Sequence, residues 1–267
     1  MDIAGLFDPI IKIVMILFRV AGFWMFFPWV LALTIPTIVR VSSALALSMA
    51  LLPVVGSKLP LWSSMNPPTF PQVIAFGIKE VMIGVALALV AKWFFASILG
   101  AAQWVGMQIG FSAAALMNPD FESGDTAWSQ FHGWIGLMIY FALGGHFLTL
   151  SALVDSYNFD FTNLFVNLSS KEAGFEFWTQ IGQSFFVWML KLSGPLVVVT
   201  LVLQAAMGVL SKFIPQINIW TVSIPVTLAV GVFMSIVILN NYTDVLNGLF
   251  GDAREAQDLL LRYMGTR

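Results

Sequence analysis

Charged side chains that interrupt apolar segments are the residues of this sequence best placed to do chemistry. Arg19 lies in the middle of one apolar run, and Lys79 and Glu80 interrupt another. Lys191 lies in a third run, and Lys212 follows it closely. A charge at the centre of a membrane segment must face protein or water, where it can hold a contact or carry a proton. We expect these five residues to make subunit or intrachain contacts, and proton carriage is the alternative.

Catalytic and metal-binding patterns are missing from the sequence. His132 and His146 are the only histidines, they lack HExxH spacing, and the chain has no Cys. Thiolate zinc sites, disulfides and Cys nucleophiles are therefore excluded, and two isolated histidines make a poor metal site. There is no GxxxxGK[ST] motif for binding a nucleotide, and no paired carboxylates stand at useful spacing. We expect a protein that is not an enzyme and that needs no cofactor or metal.

The amino-acid composition is typical of a membrane protein. Of its 267 residues, 59% are hydrophobic and only 10% are charged, whereas soluble domains carry roughly 25% charged residues. The net charge of −2 comes without a basic cluster, which excludes an electrostatic footprint for nucleic acid. The composition therefore predicts an integral membrane protein or a subunit of a membrane assembly.

The stretch Gly100–Asp125 organises the rest of the chain. Ala102, Gly106, Gly110 and Ala114 recur at every fourth position, which places small side chains along one face of a helix. Such a stripe lets another backbone approach closely, and ordinary helix packing is its simplest interpretation.

A soft apolar segment follows that helix. The sequence FSAAALMNP begins at Phe111, and Asn118-Pro119 must end any helix because Pro disfavours the helical region for the residue before it. The acids Asp120, Glu122 and Asp125 follow at once, so the segment ends against water. An apolar loop of mostly small side chains, placed between a close-packing helix and an acidic turn, suits a plug that closes a passage.

The helix that leads to this loop is too long for a simple membrane span. Nothing stops a helix from Val73 to Leu116, and its part up to Gln108 alone would exceed about 50 Å. The hydrocarbon core of a bilayer is only about 30 Å thick. The stretch is therefore either a kinked hairpin or a helix buried against protein partners, and its charged residues favour the second interpretation.

Apolar composition predicts about six helical segments in an all-α fold of long, kinked helices that forms one domain, 1–267. Besides Val73–Leu116, they are Ile10–Val30, Arg40–Pro53, Gln130–Leu153, Phe177–Leu210 and Ile219–Leu239. Prolines and serines predict a loop at 56–71, and polar residues predict another at Ser156–Glu176. Gly194-Pro195 can kink the fifth segment, a tight turn is expected at 211–218, and 252–267 is expected to form a solvated terminal helix with an Asp258–Arg262 pair.

Taken together, these residues resemble the FliR family of flagellar type III secretion export-gate proteins and its injectisome counterparts. The resemblance covers nearly the whole chain, and each of its motifs is weak alone but specific in this order. The motifs are Arg19 with Pro28 and Pro36, Gln103-x-x-Gly106-x-Gln108-x-Gly110 before Asn118-Pro119-Asp120, Gly144-Gly145-His146, and Gly208-x-x-Ser211-Lys212-x-x-Pro215-Gln216-x-Asn218. Lys212 stands where Arg is expected. Lys keeps the positive charge but lacks the planar guanidinium group that can make two parallel hydrogen bonds.

The resemblance implies an assembly in the bacterial inner membrane, within the flagellar basal body. One FliR-like subunit would close a pore with several FliP-like and FliQ-like subunits, and a FlhB-like subunit would wrap its cytoplasmic entrance. The chain would be a fused pair of FliP-like and FliQ-like hairpins, held largely on the periplasmic side. Unfolded flagellar substrates would cross through the pore in transit, driven by a partner ATPase and the proton-motive force.

The resemblance also assigns roles to residues. The hinge and the plug that closes the pore would comprise Gly106, Gly110, Phe111, Ser112, Ala113, Ala114, Ala115, Leu116, Met117, Asn118 and Pro119. Interface or buried polar contacts would involve Arg19, Lys79, Glu80, Gln103, Gln108, Lys191, Lys212, Pro215, Gln216 and Asn218.

Three other functions are alternatives to a flagellar export gate. An injectisome gate subunit would share the same motifs. A small-solute transporter could use buried Lys and Gln with a Gly-Pro broken helix as its binding site, although the chain shows no internal repeat. An intramembrane enzyme is remote because no nucleophile and base stand together.

Overall fold

The described part of the chain is helical, as its composition predicts. The computed structural model describes residues 3–27, 36–59, 70–111, 127–161, 171–214, 216 and 218–265. These residues form seven α-helices, which are α1 (Ile3–Phe26), α2 (Thr37–Val55), α3 (Phe70–Gln108), α4 (Ala127–Ala142), α5 (Gly145–Asp155), α6 (Lys171–Phe213) and α7 (Ile219–Met264). A 3₁₀ turn, Ser156–Asn158, follows α5. The prediction of an all-α membrane protein is confirmed.

Three of the helices are longer than a bilayer is thick. Helices α3, α6 and α7 have 39, 43 and 46 residues. At about 1.5 Å per residue they measure about 58 to 69 Å, against about 30 Å of hydrocarbon core. Five helices in the described part of the chain are long and apolar enough to cross a membrane, or six if α4 and α5 count as one bent span. This agrees with the six predicted segments.

Helices α4 and α5 correct the prediction of one helix over Gln130–Leu153. The first helix ends at Ala142 and the second begins at Gly145. Gly144 lies at the bend with a φ of 71°, in the left-handed region that ends helices and favours glycine. The Gly144-Gly145 pair in the sequence is the local cause of the break.

Helix ends also differ from the predictions. Helix α3 ends at Gln108, eight positions before the predicted Leu116, and α6 begins at Lys171, inside the predicted loop Ser156–Glu176. Pro195 lies inside α6 without dividing it. The turn predicted at 211–218 is present between Phe213 and Ile219.

The C-terminal residues differ most from their prediction as a separate, solvated helix. Helix α7 continues without interruption from Ile219 to Met264. Leu260, Leu261 and Met264 are buried, and the Nε2 atom of the buried Gln257 donates to the Leu87 carbonyl at 3.0 Å. These positions recur at helical spacing, so one face of the segment packs against protein while the opposite face keeps its charges.

The expected pairing of Asp258 with Arg262 is replaced by another ion pair. Asp258 lies 3.2 Å from Arg254, one turn earlier. Arg254 also contacts Asp155 at the end of α5, at 2.6 Å. The contact of Arg254 with Asp155, which is distant in sequence, therefore determines that Asp258 pairs with Arg254 and not with Arg262.

The chain divides into two compact units. The first unit comprises Met1–Trp93, Gly145–Ile181 and Asp252–Arg267, and the second comprises Phe94–Gly144 and Gly182–Gly251. Helices α3, α6 and α7 each contribute one part to each unit. The assignment of one family domain to 1–267 stays a prediction.

Each unit has its own apolar core. Buried side chains of the first unit include Ile16, Phe23, Ile83, Leu87 and Leu153. Those of the second unit include Ile98, Ile109, Leu196, Leu246 and Leu249. The candidate site lies in the second unit.

Candidate functional site

The candidate site is the point where α3 ends and the predicted plug segment begins. The Ile109 and Gly110 amides donate to the carbonyls of Val105 and Met107, at 3.0 and 3.3 Å. Gly110 has a φ of 94°, a conformation that L side chains rarely adopt. A left-handed glycine just past the last helical residue is a common way to end a helix. Backbone chemistry at Gly110 therefore sets where α3 stops.

Side chains from two other helices contact the end of α3. On α6, the Nε2 atom of Gln204 lies 3.2 Å from both the carbonyl oxygen and the Oε1 atom of Gln108. On α7, the Thr227 hydroxyl lies 3.4 Å from the Ile109 carbonyl, although it lies nearer to carbonyls of its own helix. The last carbonyls of a helix lack partners within that helix, so these contacts supply partners that α3 itself cannot.

Ile109 packs directly against the backbone of α7. Its side chain is fully buried, and a Cβ atom added to Gly231 would lie 3.1 Å from the Ile109 Cβ and closer still to Cγ2. Only a glycine leaves room for this approach. The sequence motifs did not identify Gly231 or Gln204.

An aromatic contact joins the two sides of the predicted plug segment. The rings of Phe111 and Trp128 stack with centroids 5.5 Å apart and planes at 30°, and the Trp128 ring also contacts His132 at 4.4 Å. Phe111 precedes residues 112–126, and Trp128 follows them. The rings belong to an apolar cluster with Ala102, Val105, Ile109, Leu196 and Val197.

A small cavity lies beside this cluster. It has a volume of about 20 Å³, enough for one water, and its lining includes Trp128, His132, Ser235 and Tyr242. No described residue accepts a hydrogen bond from the buried Nε1 atom of Trp128. Burial raises the pKa of Tyr242 to about 12. The cavity therefore has polar groups at an otherwise apolar site.

The predicted hinge and plug residues are only partly within the described residues. Gly106 is buried inside α3, and Gly110 and Phe111 occupy the positions given above. Eight predicted plug residues lie outside the described residues, namely Ser112, Ala113, Ala114, Ala115, Leu116, Met117, Asn118 and Pro119. Their role stays a prediction.

In the first unit, Arg19 and Glu80 form a buried ion pair. The Nε atom of Arg19 donates to Glu80 Oε2 at 2.6 Å, and the two side chains are only 4% and 8% exposed. Arg19 Nη1 also donates to the Ser156 hydroxyl at 2.9 Å, and that hydroxyl donates to the Leu153 carbonyl. Both Arg19 and Glu80 therefore make an intrachain contact, which is one of the roles predicted for them.

Aromatic rings complete the surroundings of Arg19. The centre of its guanidinium lies 4.0 Å from the Tyr157 ring centroid and 5.5 Å from that of Phe161. Rings attract a cation through their negative faces, most strongly where water is excluded. Arg19 thus has an anion and two rings around it, an arrangement that holds the charge in place.

The other predicted polar contacts lie nearer the surface of the single chain. The ammonium groups of Lys79 and Lys191 lie 5.0 and 4.1 Å from the ring centroids of Phe76 and Trp188. Gln103 is partly buried, whereas Lys191, Lys212, Gln216 and Asn218 are exposed, and Pro215 lies outside the described residues. The exposed residues are accessible for contacts with other subunits.

Sequence motifs did not identify the closest backbone approach in the first unit. A Cβ atom on Gly22 of α1 would lie 2.5 Å from the Val81 carbonyl oxygen. One on Gly84 of α3 would lie 2.8 Å from the Phe23 amide nitrogen and closer to the Arg19 carbonyl oxygen. The two glycines let α1 and α3 pack backbone against backbone. A glycine within an apolar helix was the only sequence signal.

The histidines do not form a metal site with other described residues. No group of three or more His, Cys, Asp or Glu side chains in this part of the protein is arranged to hold an ion. The Nδ1 atom of His132 lies 3.0 Å from the Trp128 carbonyl in its own helix. His132 is therefore engaged locally.

Known proteins resemble the chain over almost its whole length. Residues 10–253 match the family described as "Bacterial export proteins, family 1". The chain is 23% identical to the flagellar biosynthetic protein FliR of Bacillus subtilis (strain 168), covering 94% of this chain and 95% of that protein. It is 24% identical to FliR of Aquifex aeolicus (strain VF5), covering 91% of each. It is 29% identical to FliR of Caulobacter vibrioides, covering 80% of this chain and 82% of that protein.

Proposed function

The chain belongs to the bacterial export proteins of family 1, and from this premise we propose that it forms part of the pore of the flagellar type III export gate. FliP-like and FliQ-like subunits would complete the pore, through which unfolded flagellar substrates cross the bacterial inner membrane. The three relatives above are all named as flagellar proteins, which supports flagellar cargo over injectisome cargo. The family match over 10–253, together with the relatives named FliR, supports the coarser conclusion that the chain is a flagellar export component.

Unburied apolar helices support a role inside a larger assembly. Only 17% of the residues of α2 are buried, and the same share applies to Thr221–Leu239 of α7. Ile38, Val41 and Phe233 are each more than 60% exposed. Such surfaces need lipid or protein partners to cover them. Helices of about 58 to 69 Å exceed what lipid alone can cover, which favours protein partners for part of their length.

The pore would be closed by the segment that follows Gly110. A loop of Ala, Ser and Met side chains can fill a narrow passage, since Ala adds little bulk and Met adapts its shape. The chain would act without catalysis of its own. A FlhB-like subunit would contact the cytoplasmic entrance, and most of the chain would lie on the periplasmic side of the assembly.

Co-expression with FliP-like and FliQ-like partners tests the assembly. A tag on Arg267 would be used for purification, and the mass of the purified complex would be measured. We expect a large, discrete complex with one copy of this chain. A stable monomer in the presence of both partners would contradict the proposal and favour a transporter.

Deletion of Phe111–Met117 tests the plug. The complex should still assemble, because helix contacts hold it together, but membranes containing it should become permeable to small ions. The readout is ion flux into vesicles that contain equal amounts of the wild-type or shortened complex. Loss of assembly would assign the segment to packing, and an assembled complex that does not leak would also contradict a plug.

A further inference from the structure

We propose that residues 192–211 are the part of α6 that crosses the lipid bilayer, and that Lys191 and Lys212 contact phospholipid headgroups on its two sides. The part of α6 before Lys191 would then lie outside the hydrocarbon core, where protein partners and water surround it. This division of α6 between lipid and protein goes beyond the proposed function and does not depend on it.

The spacing of the two lysines is the first reason. The segment 192–211 between them contains no Asp, Glu, Lys or Arg, and at about 1.5 Å per residue it measures about 30 Å. The hydrocarbon core of a bilayer is about 30 Å thick. A lysine at each end of such a segment can place its ammonium group among the negatively charged lipid phosphates, because its long side chain reaches the headgroups. Length and charge therefore both fit one bilayer.

The position of the Lys191 ammonium is the second reason. Its Nζ atom lies 4.1 Å from the ring centroid of Trp188, one turn nearer the start of α6. Side chains on a helix lean towards its N-terminus, and Lys191 follows this rule. The charge is thus directed away from 192–211, as it must be if that segment lies in hydrocarbon.

Hydrogen bonding within 192–211 is the third reason. The hydroxyls of Ser193, Thr200 and Ser211 each donate to a carbonyl three or four positions earlier in α6, at 2.6 to 2.9 Å. The side chain of Gln204 donates to Gln108. These four residues are the hydrogen-bonding side chains of the segment. Each has a partner within the protein, which lipid requires because hydrocarbon offers none.

Helix α7 repeats this pattern in the opposite order along the chain. Its uncharged segment Thr221–Leu239 follows the turn after α6 and measures about 29 Å. Exposed polar residues begin directly after it, with Asn241, Asp244 and Asn247. Exposed amides and carboxylates need water or polar partners. Two consecutive helices therefore each have one bilayer-length apolar segment next to the turn that joins them, followed by polar surface farther from it.

The exposed surfaces of the two segments are apolar. Large side chains that are more than half exposed occur on both, namely Val198, Val202, Val209, Phe233 and Ile236. The surface of α6 before Lys191 is mixed, since Gln183 is exposed there as well as Phe186. Lipid chains cover a purely apolar surface without loss, whereas a mixed surface needs polar partners too.

Two cysteine variants of α6 test which part of the helix contacts lipid. Val198→Cys and Phe186→Cys are matched, because the two native side chains are 60% and 58% exposed and the chain has no native Cys. Each variant would be purified with Cys-free FliP-like and FliQ-like partners, labelled with a bimane fluorophore and placed in vesicles of phospholipid with brominated chains. Bromine quenches a fluorophore that it contacts. We expect loss of emission at 198 and unchanged emission at 186, relative to vesicles without bromine.

The remaining outcomes would overturn the inference. Unchanged emission at 198 would mean that protein covers this segment, and loss at both positions would mean that lipid extends past Lys191. If no complex forms, the proposed function fails, but the same comparison on the full chain alone still tests the lipid boundary. Failure of the proposed function and failure of the inference are therefore distinguishable.

Substitution of Lys191 tests whether its charge sets the boundary. Val187→Cys places the fluorophore one turn before Lys191, where brominated lipid should not quench it. Lys191→Leu removes the charge and should let lipid reach this turn, with loss of emission at 187. Lys191→Arg keeps the charge and should leave the emission unchanged. Equal emission for the Leu and Arg variants would show that Lys191 does not hold the helix at the headgroups.

Discussion

Two regions, one in each unit, bring helices into close contact by different physical means. In the first unit, the Arg19–Glu80 ion pair lies where Gly84 lets α1 and α3 touch through their backbones. In the second unit, the end of α3 is held by the apolar Ile109 against Gly231, with uncharged hydrogen bonds around it. One region depends on charge, and the other depends on shape.

The difference determines how each region should respond to change. A buried charge that loses its partner costs several kcal/mol, because neither water nor another ion replaces that partner. An apolar contact loses energy in proportion to the atoms moved or removed. Removing one partner of the ion pair should therefore cost most of the stability of the first region in a single substitution. In the second region, the loss of stability should grow with the change in side-chain size.

Arg19→Met should have the largest effect, because it leaves Glu80 buried without its partner. We expect a loss of about 3–5 kcal/mol in the free energy of unfolding. The measurement is thermal unfolding of the purified complex, together with its yield. Adding Glu80→Leu removes the unpaired charge and should recover most of the loss. A double variant no more stable than Arg19→Met would show that the ion pair is not the source of the effect.

Gly84→Ala should have an intermediate effect. Its Cβ would meet backbone atoms of Arg19 and Phe23, which cannot rotate away, so α1 and α3 must separate. We expect a loss of about 1–3 kcal/mol, measured by the same unfolding experiment. Gly77→Ala on the same helix is the control, since the nearest atoms to its Cβ would be those of the Phe18 ring, at 3.2 Å, and not backbone. Equal losses for the two variants would contradict backbone packing at Gly84.

Arg254→Gln should have the smallest effect, although it removes two ion pairs from the first unit, those of Arg254 with Asp155 and with Asp258. Asp155 is 46% exposed, so water can solvate it once Arg254 is gone. We expect a change of about 0–1 kcal/mol in the free energy of unfolding, smaller at high salt. A loss as large as that of Arg19→Met would mean that exposure does not distinguish the two ion pairs.

Local patterns account for parts of the structure, although they did not predict where α3 ends. A glycine that can adopt a positive φ, Gly110, explains why α3 ends at Gln108, eight positions before the predicted end at Leu116, and the predicted turn after Phe213 follows from its Pro and Asn residues. Contacts between distant residues could not be predicted in this way. Gln204 lies 96 positions from Gln108, and nothing local in either stretch indicates the other.

The C-terminal part of α7 shows the same limit of prediction from local sequence. Charged residues after Asp252 predicted a separate solvated helix, yet α7 continues through them because Leu260, Leu261 and Met264 find apolar partners in the first unit. Whether a helix face is exposed to water depends on what packs against it, and the sequence of that helix alone does not specify the packing partner.

By itself, the sequence determined the class of the protein, its number of apolar segments and the burial of Arg19. These properties follow from composition and from the cost of placing a charge among apolar residues. Only the tertiary structure decided that Arg19 pairs with Glu80 and donates to Ser156. It also decided that Gly84 and Gly231, which lie outside the stripe of small residues in α3, meet their neighbours most closely. The physical reason is the distance along the sequence over which each kind of interaction acts. Propensity and hydrophobic pattern act over a few residues, whereas hydrogen bonds, ion pairs and close packing join residues up to 170 positions apart.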